Sequence, residues 1–79
     1  MPIKHDTEKK RFTYQPDTDQ HAFLSYTLSD NHINFIHTFV PESLRGQGIA
    51  EKLVREGLSW AKHEDFVISA SCSYVQRFI

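Results

Sequence analysis

Seventy-nine residues suffice for one domain with a single small core, and 39% apolar with 24% charged residues is ordinary for a globular protein in water. Nine scattered Lys and Arg against ten Asp and Glu leave no basic surface for a row of phosphate contacts, which argues against a nucleic-acid binder. One cysteine excludes an internal disulfide framework, no apolar run approaches the roughly 18 residues of a membrane span, and Met1-Pro2-Ile3-Lys4-His5-Asp6 lacks the apolar stretch of a signal peptide, so the expected compartment is the cytoplasm.

Residues 1–10 are polar and mixed in charge and read as a loosely ordered lead-in with room for a short strand. Arg11-Phe12-Thr13-Tyr14-Gln15 alternates and predicts a strand. Pro16-Asp17-Thr18-Asp19-Gln20 is turn chemistry. His21 to Ser29 predicts the next strand, with Ala22, Leu24, Tyr26 and Leu28 on one face. Asp30-Asn31 suits a two-residue hairpin turn, since both side chains tolerate left-handed backbone. In the strand from His32 to Val40, Ile33, Phe35, His37 and Phe39 share one face by alternation, and Asn34, Ile36, Thr38 and Val40 the other. Both faces are partly apolar, which predicts a central strand packed on each side.

Pro41 ends that ladder. From Gly48 the period changes to about 3.6. Ile49, Leu53, Val54, Gly57, Trp60 and Ala61 form a stripe, while Glu51, Lys52, Arg55, Glu56, Ser59 and Lys62 face water. The pattern predicts a helix of about sixteen residues. Gly57 costs this helix about 1 kcal/mol relative to alanine, and its place on the buried side suggests close approach to the sheet. Phe66-Val67-Ile68-Ser69-Ala70-Ser71 is a short apolar strand, able to lie parallel to the preceding one through a right-handed crossover. Ser71 or Ser73 is placed to cap a further helix near Tyr74. The sequence ends about one and a half turns later, so this helix either docks firmly or belongs to a longer one. The expected fold is a single α/β domain over residues 1–79, with a mixed sheet in the order β-β-β-α-β-α. Three antiparallel strands precede a crossover helix and a parallel strand.

The turn Arg45-Gly46-Gln47-Gly48-Ile49-Ala50 stands between a strand and a helix. The first turn of a helix has N–H groups without intrahelical partners, and their partial positive charge favours an anion. Gly46 and Gly48 remove side chains that would block a phosphate and permit unusual φ. Ala50 keeps the next position small, and Arg45 can donate charge-assisted bonds. The spacing fits neither the dinucleotide fingerprint nor the P-loop.

Arg45-x-x-Gly48-x-Ala50 does resemble the pyrophosphate motif of the GCN5-related N-acetyltransferases, Gln/Arg-x-x-Gly-x-Gly/Ala. The string His37-Thr38-Phe39-Val40-Pro41-Glu42-x-Leu44-Arg45-Gly46-Gln47-Gly48-Ile49-Ala50, then Trp60-Ala61 and Cys72-Ser73-Tyr74-Val75, is similar to the small, minimal members of that superfamily. The resemblance covers residues 23–78. It implies an acyl-coenzyme A core in which the third strand and the strand from Phe66 splay apart. The pantetheine arm would lie against the backbone of Thr38, Phe39 and Val40. The pyrophosphate would rest on the N–H groups of Gly46, Gln47, Gly48, Ile49 and Ala50, and the acetyl group would point toward His37 and Cys72. The chain lacks the helices that follow the first strand in larger acetyltransferases and help shape the acceptor site, so a protein partner or a second copy would complete that wall.

Acetyl transfer from a thioester needs a held amine, a base, and a proton for the departing thiolate. His37, with an ordinary imidazole pKa near neutrality, is the candidate base, the alternative being a structural histidine on a strand. Cys72 reads as a nucleophile, as a lining residue of the acetyl pocket, or as a small buried side chain. Tyr74 lies where many acetyltransferases place the general acid, and serves equally well as a packing residue. His5, His21, His32 and His63 read as surface or element-end residues, with no compact metal pattern. Glu64 with Asp65, like Asp17 with Asp19, reads as turn carboxylates. The resulting expectation is an N-acetyltransferase moving an acetyl group from acetyl-coenzyme A, without a metal, to an amine the sequence does not identify. A non-catalytic acyl-coenzyme A binding or sensing module and a structural or interaction domain are the alternatives.

Overall fold

The alternating stretches assemble into one sheet. A computed structural model of the chain describes residues 3–16 and 20–79, so the turn residues Asp17 and Asp19 lie outside the described residues. The strands β1 (Ile3–Asp6), β2 (Arg11–Tyr14), β3 (Ala22–Ser29), β4 (His32–Phe39) and β5 (Val67–Ala70) lie side by side in that order. Neighbours are antiparallel except β4 and β5, which run parallel. Helix α1 (Ile49–His63) makes that possible by carrying the chain back along the sheet. A 3-10 turn, Glu42–Leu44, and a four-residue helix, α2 (Ser73–Gln76), complete the described elements.

The expected mixed α/β order holds, with one strand more at the N-terminal end. Residues read as a lead-in with room for a short strand contribute β1, which pairs with β2 from Ile3↔Tyr14 to Asp6↔Arg11. The Asp6 carboxylate accepts the Glu8 and Lys9 N–H groups at 3.0 Å each, which fixes the turn, and Lys10 takes a left-handed φ of 56° to enter β2. The Asp30-Asn31 hairpin forms as expected between Ser29 and His32, with Asp30 at φ 53°.

α1 covers one face of the sheet. Phe12, Ala22, Leu24, Tyr26, Ile33 and Phe35 meet Ile49, Leu53, Val54, Leu58 and Ala61 in the core, and Val75 anchors α2 to it. Gly57 is where helix and sheet come closest. A β-carbon there would stand 2.9 Å from Leu24 Cδ2 and 3.0 Å from Phe35 Cε1. No helix among the described residues covers the opposite face, so the expectation of packing on both sides of β4 is not met.

The reason β4 looks apolar on both faces is a bulge. Tyr26 pairs with Phe35 and Ser25 with His37, leaving Ile36 as an extra residue. The bulge shifts the side-chain alternation by one position. Ile33 and Phe35 therefore point into the core, but His37 and Phe39 point to the helix-free face, where Phe39 is 40% exposed. Thr38, opposite Leu24, turns to the helix side. The face assignment of His37 and Phe39 with Phe35 is thus corrected.

His5 is also placed differently from the surface position expected of it. Its ring stacks on Phe12 at 4.0 Å and meets Trp60 edge-on at 4.4 Å, and its Nε2 lies 2.6 Å from Tyr26 Oη. Burial lowers its pKa from the usual 6.5, against a smaller raising effect of Asp6.

Two outcomes follow. Gly57→Ala gains helix propensity but overpacks Leu24 and Phe35, for a net loss of about 1–2 kcal/mol measured by denaturant unfolding. Because the folded form favours neutral His5, the stability it contributes is present above the unfolded pKa and is lost as pH falls through the lower folded value. Melting temperature therefore falls on acidification below pH 6.5, and falls less steeply in His5→Phe.

Candidate functional site

Two features of the backbone create an opening. Parallel pairing of β4 with β5 runs only from His32↔Val67 to Phe35↔Ala70. The Ser71 and Cys72 N–H groups then converge on Phe35 O, at 3.0 and 3.2 Å, and the chain turns away into α2. Past Phe35, next to the bulge, β4 keeps β3 as its only strand partner among the described residues. The β5-facing edge of residues 36–39 is a seam.

The glycine turn stands at the mouth of this seam. Gly46 and Gly48 adopt left-handed φ of 82° and 73°, and a β-carbon on either would meet nothing within 4 Å. Packing does not explain these glycines. The chain needs them for the turn, and the space above them is open. Gly48 is the N-cap of α1 and supplies no side-chain cap. The first intrahelical bond runs from Lys52 N–H to Gly48 O at 3.1 Å, which leaves the preceding amides without intrahelical partners. Arg45 folds back so that its Nε donates to Val40 O at 3.0 Å. A cleft of about 220 Å³ joins these pieces, with Val40, Leu44, Arg45, Gly46, Gly48, Ile49, Ala50, Glu51 and Tyr74 around it.

Tyr74 forms the far wall, half-buried, with its ring against Phe78 at 5.3 Å and Arg77 over it at 5.8 Å. Cys72 lies between this wall and β4. Its Sγ is 3.6 Å from Thr38 Oγ1, across the seam. Burial pushes the thiol pKa up, but the Val75 N–H, the Thr38 hydroxyl, and the Tyr74 and Thr38 N–H groups face the sulfur and bring the net value below 9.0. The amides of α2 approach the sulfur without forming a side-chain cap. Cys72, and not Ser71 or Ser73, occupies the N-cap position. Ser71 Oγ is held on the sheet by Asn34 Nδ2 at 3.0 Å, and Ser73 is already helical.

The predicted site residues therefore divide. Val40, Arg45, Gly46, Gly48, Ile49, Ala50 and Tyr74 line one cleft, and Thr38 and Cys72 meet across the seam, while Gln47 and Phe39 are not in the cleft lining. His37 is exposed on the helix-free face with Phe23 5.7 Å away, so its side chain and Cys72 approach the seam from opposite faces of the sheet. The sequence points to Thr38 only through its backbone, yet its hydroxyl is the nearest side-chain partner of the sulfur. Strict alternation hides it.

The sequence pattern described as GCN5-related N-acetyl-transferase matches residues 11–79. The chain belongs to this family. A GCN5-like protein from Staphylococcus aureus, solved by NMR in solution, superposes with a TM-score of 0.75 at 32% identity over 98% of this chain and 76% of that one. Protein NATD1 of Bos taurus is 29% identical over 79 residues, which span 98% of this chain and 70% of the relative. Protein NATD1 of Gallus gallus is 28% identical over 81 residues, 100% of this chain and 74% of the relative. The fold expected from the resemblance is thus the family's fold.

The polar contacts around Cys72 give a measurable outcome. The pH midpoint of its alkylation by iodoacetamide lies below that of an unstructured cysteine peptide measured alongside, and Thr38→Val moves the midpoint upward.

Proposed function

We propose that this chain is an N-acetyltransferase that takes its acetyl group from acetyl-coenzyme A and gives it to an amine. The observation that carries the reading is the pair of left-handed glycines above open space, at an uncapped helix start, beside parted parallel strands. Among ligands available to a fold of this family, a pyrophosphate with a long polar arm suits such an opening. The residues present fit it: the amides of Gly46, Gln47, Gly48, Ile49 and Ala50 with Arg45 for the pyrophosphate, and the edge of Thr38, Phe39 and Val40 that β5 does not pair for the amide groups of the arm. Acetyl-coenzyme A supplies a thioester already activated for acyl transfer.

Three side chains of this chain take the remaining roles. Tyr74 Oη, on the cleft wall, is the proton donor. Cys72, polarised by Thr38 and the amides of α2, lines the reacting end of the seam or serves as a nucleophile there. An imidazole nitrogen of His37 receives the amine proton from the helix-free side. The proposed place of action is the cytoplasm. No helix among the described residues is long and apolar enough to cross a membrane. Separation of His37 from Cys72 across the sheet favours one other reading, a module that binds the coenzyme without turnover.

Titration of isotope-labelled protein with acetyl-coenzyme A tests both. The expected result is saturable movement of the Gly46, Gly48 and Ala50 amides together with Thr38 to Val40, and binding weakened by about tenfold or more in Gly48→Val, which both strains the turn and fills the space. Release of free thiol on adding amines then identifies the enzyme, and binding with no release under any amine identifies the module. If no amide moves at millimolar ligand, the coenzyme reading is wrong.

A further inference from the structure

Resting on the coenzyme reading, the sheet points to the kind of amine that would be used. The glycine turn and Tyr74 lie on the helix side of the seam, so an acceptor has the opposite, helix-free face as its approach. That face carries two cross-strand rows that lead to the seam. One row is Lys4, Thr13, Phe23 and Phe39, and the other is Asp6, Arg11, Ser25 and His37.

The chemistry of the rows is uneven. Next to the seam are aromatic surfaces, Phe23 and Phe39, with ring centroids 5.5 Å apart, and the His37 imidazole beside Phe23. Farther out is positive charge. The Arg11 guanidinium lies 5.0 Å over the Phe23 ring, and His21 flanks the same ring at 6.3 Å. Beyond them an open hollow of about 800 Å³ spreads over β1 and β2, lined by the cations Lys4, Lys9 and Arg11 and by the carboxylates Asp6 and Glu8. The acidic member of the row, Asp6, already has its carboxylate on the Glu8 and Lys9 amides.

We infer that the acceptor is an amine carrying an anionic group at its other end and an aromatic or other flat apolar body between, with the body on Phe23 and Phe39 and the anion at Arg11. The spacing suits such a molecule. Two strand separations, about 10 Å, lie between β2 and β4, whose far edge is the seam, and the arginine side chain covers part of that span. Arginine also prefers planar carboxylate and phosphate groups to other partners. This accounts for the exposed Phe39 ring beside the half-buried Phe23, neither of which the core uses.

The test uses two amines that differ only in the anion, 4-(2-aminoethyl)benzoate and 2-phenylethylamine. Each is titrated into the full chain saturated with coenzyme A, and backbone amide shifts are followed. Expected is movement of the Arg11, Phe23 and His37 amides with the benzoate bound about tenfold more tightly, and loss of that preference in Arg11→Gln. Equal affinity of the two amines in the unaltered chain overturns the inference, as do shifts confined to other residues. So does a change from dimer to monomer in Phe23→Ser by sedimentation, which would show that a second copy covers the face. Unmoved Gly46 and Gly48 amides on adding coenzyme A would mean that the coenzyme reading itself has failed, and the acceptor inference falls with it.

Discussion

A single extra residue, Ile36, governs the geometry of this domain. Before it, β4 is an ordinary strand with Ile33 and Phe35 in the core and β5 bonded alongside. After it, the strand presents its former outer positions to the helix side, and β5 no longer follows. One bulge thus opens the sheet and rotates Thr38 toward Cys72, while it turns His37 and Phe39 to the other face. A regular strand would have closed the sheet and kept His37 on the side of Phe35.

The opening is tolerable because stability is gathered elsewhere. α1 lies against β2, β3, β4 and β5 with Gly57 at the closest approach, and a second aromatic group of His5, Phe12, Tyr26 and Trp60 secures the β1 end. The N-terminus of α1 can then go without a cap. A side-chain cap contributes about 1 kcal/mol to many helices, and here the position is held by a glycine that cannot provide one. The same amides are left available to an anion.

Much of this is legible in the residues. The change of period at Gly48, the turn chemistry of Asp30-Asn31 and the spacing from Arg45 to Ala50 each depend on neighbours in sequence, and each can be read in its place. Gly57 is legible because a glycine on a buried helical stripe gives up helix propensity for little except close packing. The bulge is not legible. It depends on where β3 and β5 pair with β4, and nothing in Phe35-Ile36-His37 marks the middle residue as the extra one. The apolar character of both faces is its trace in the sequence, and packing on two sides would leave the same trace. β1 is faint for another reason: four residues with one aliphatic side chain form a strand only because β2 and Trp60 receive them.

The seam also bears on how long such a chain survives in a cell. It is a strand edge in the middle of a sheet, and an unpaired edge is a template for other strands. A domain of this length holds roughly 4–12 kcal/mol of folding stability. A ligand that fills the seam at about a hundredfold over its dissociation constant would add about 2.7 kcal/mol, a large share of the total, while masking the edge. Abundance of the folded protein would then follow the supply of that ligand, rising when it is plentiful and declining through aggregation or proteolysis when it is scarce.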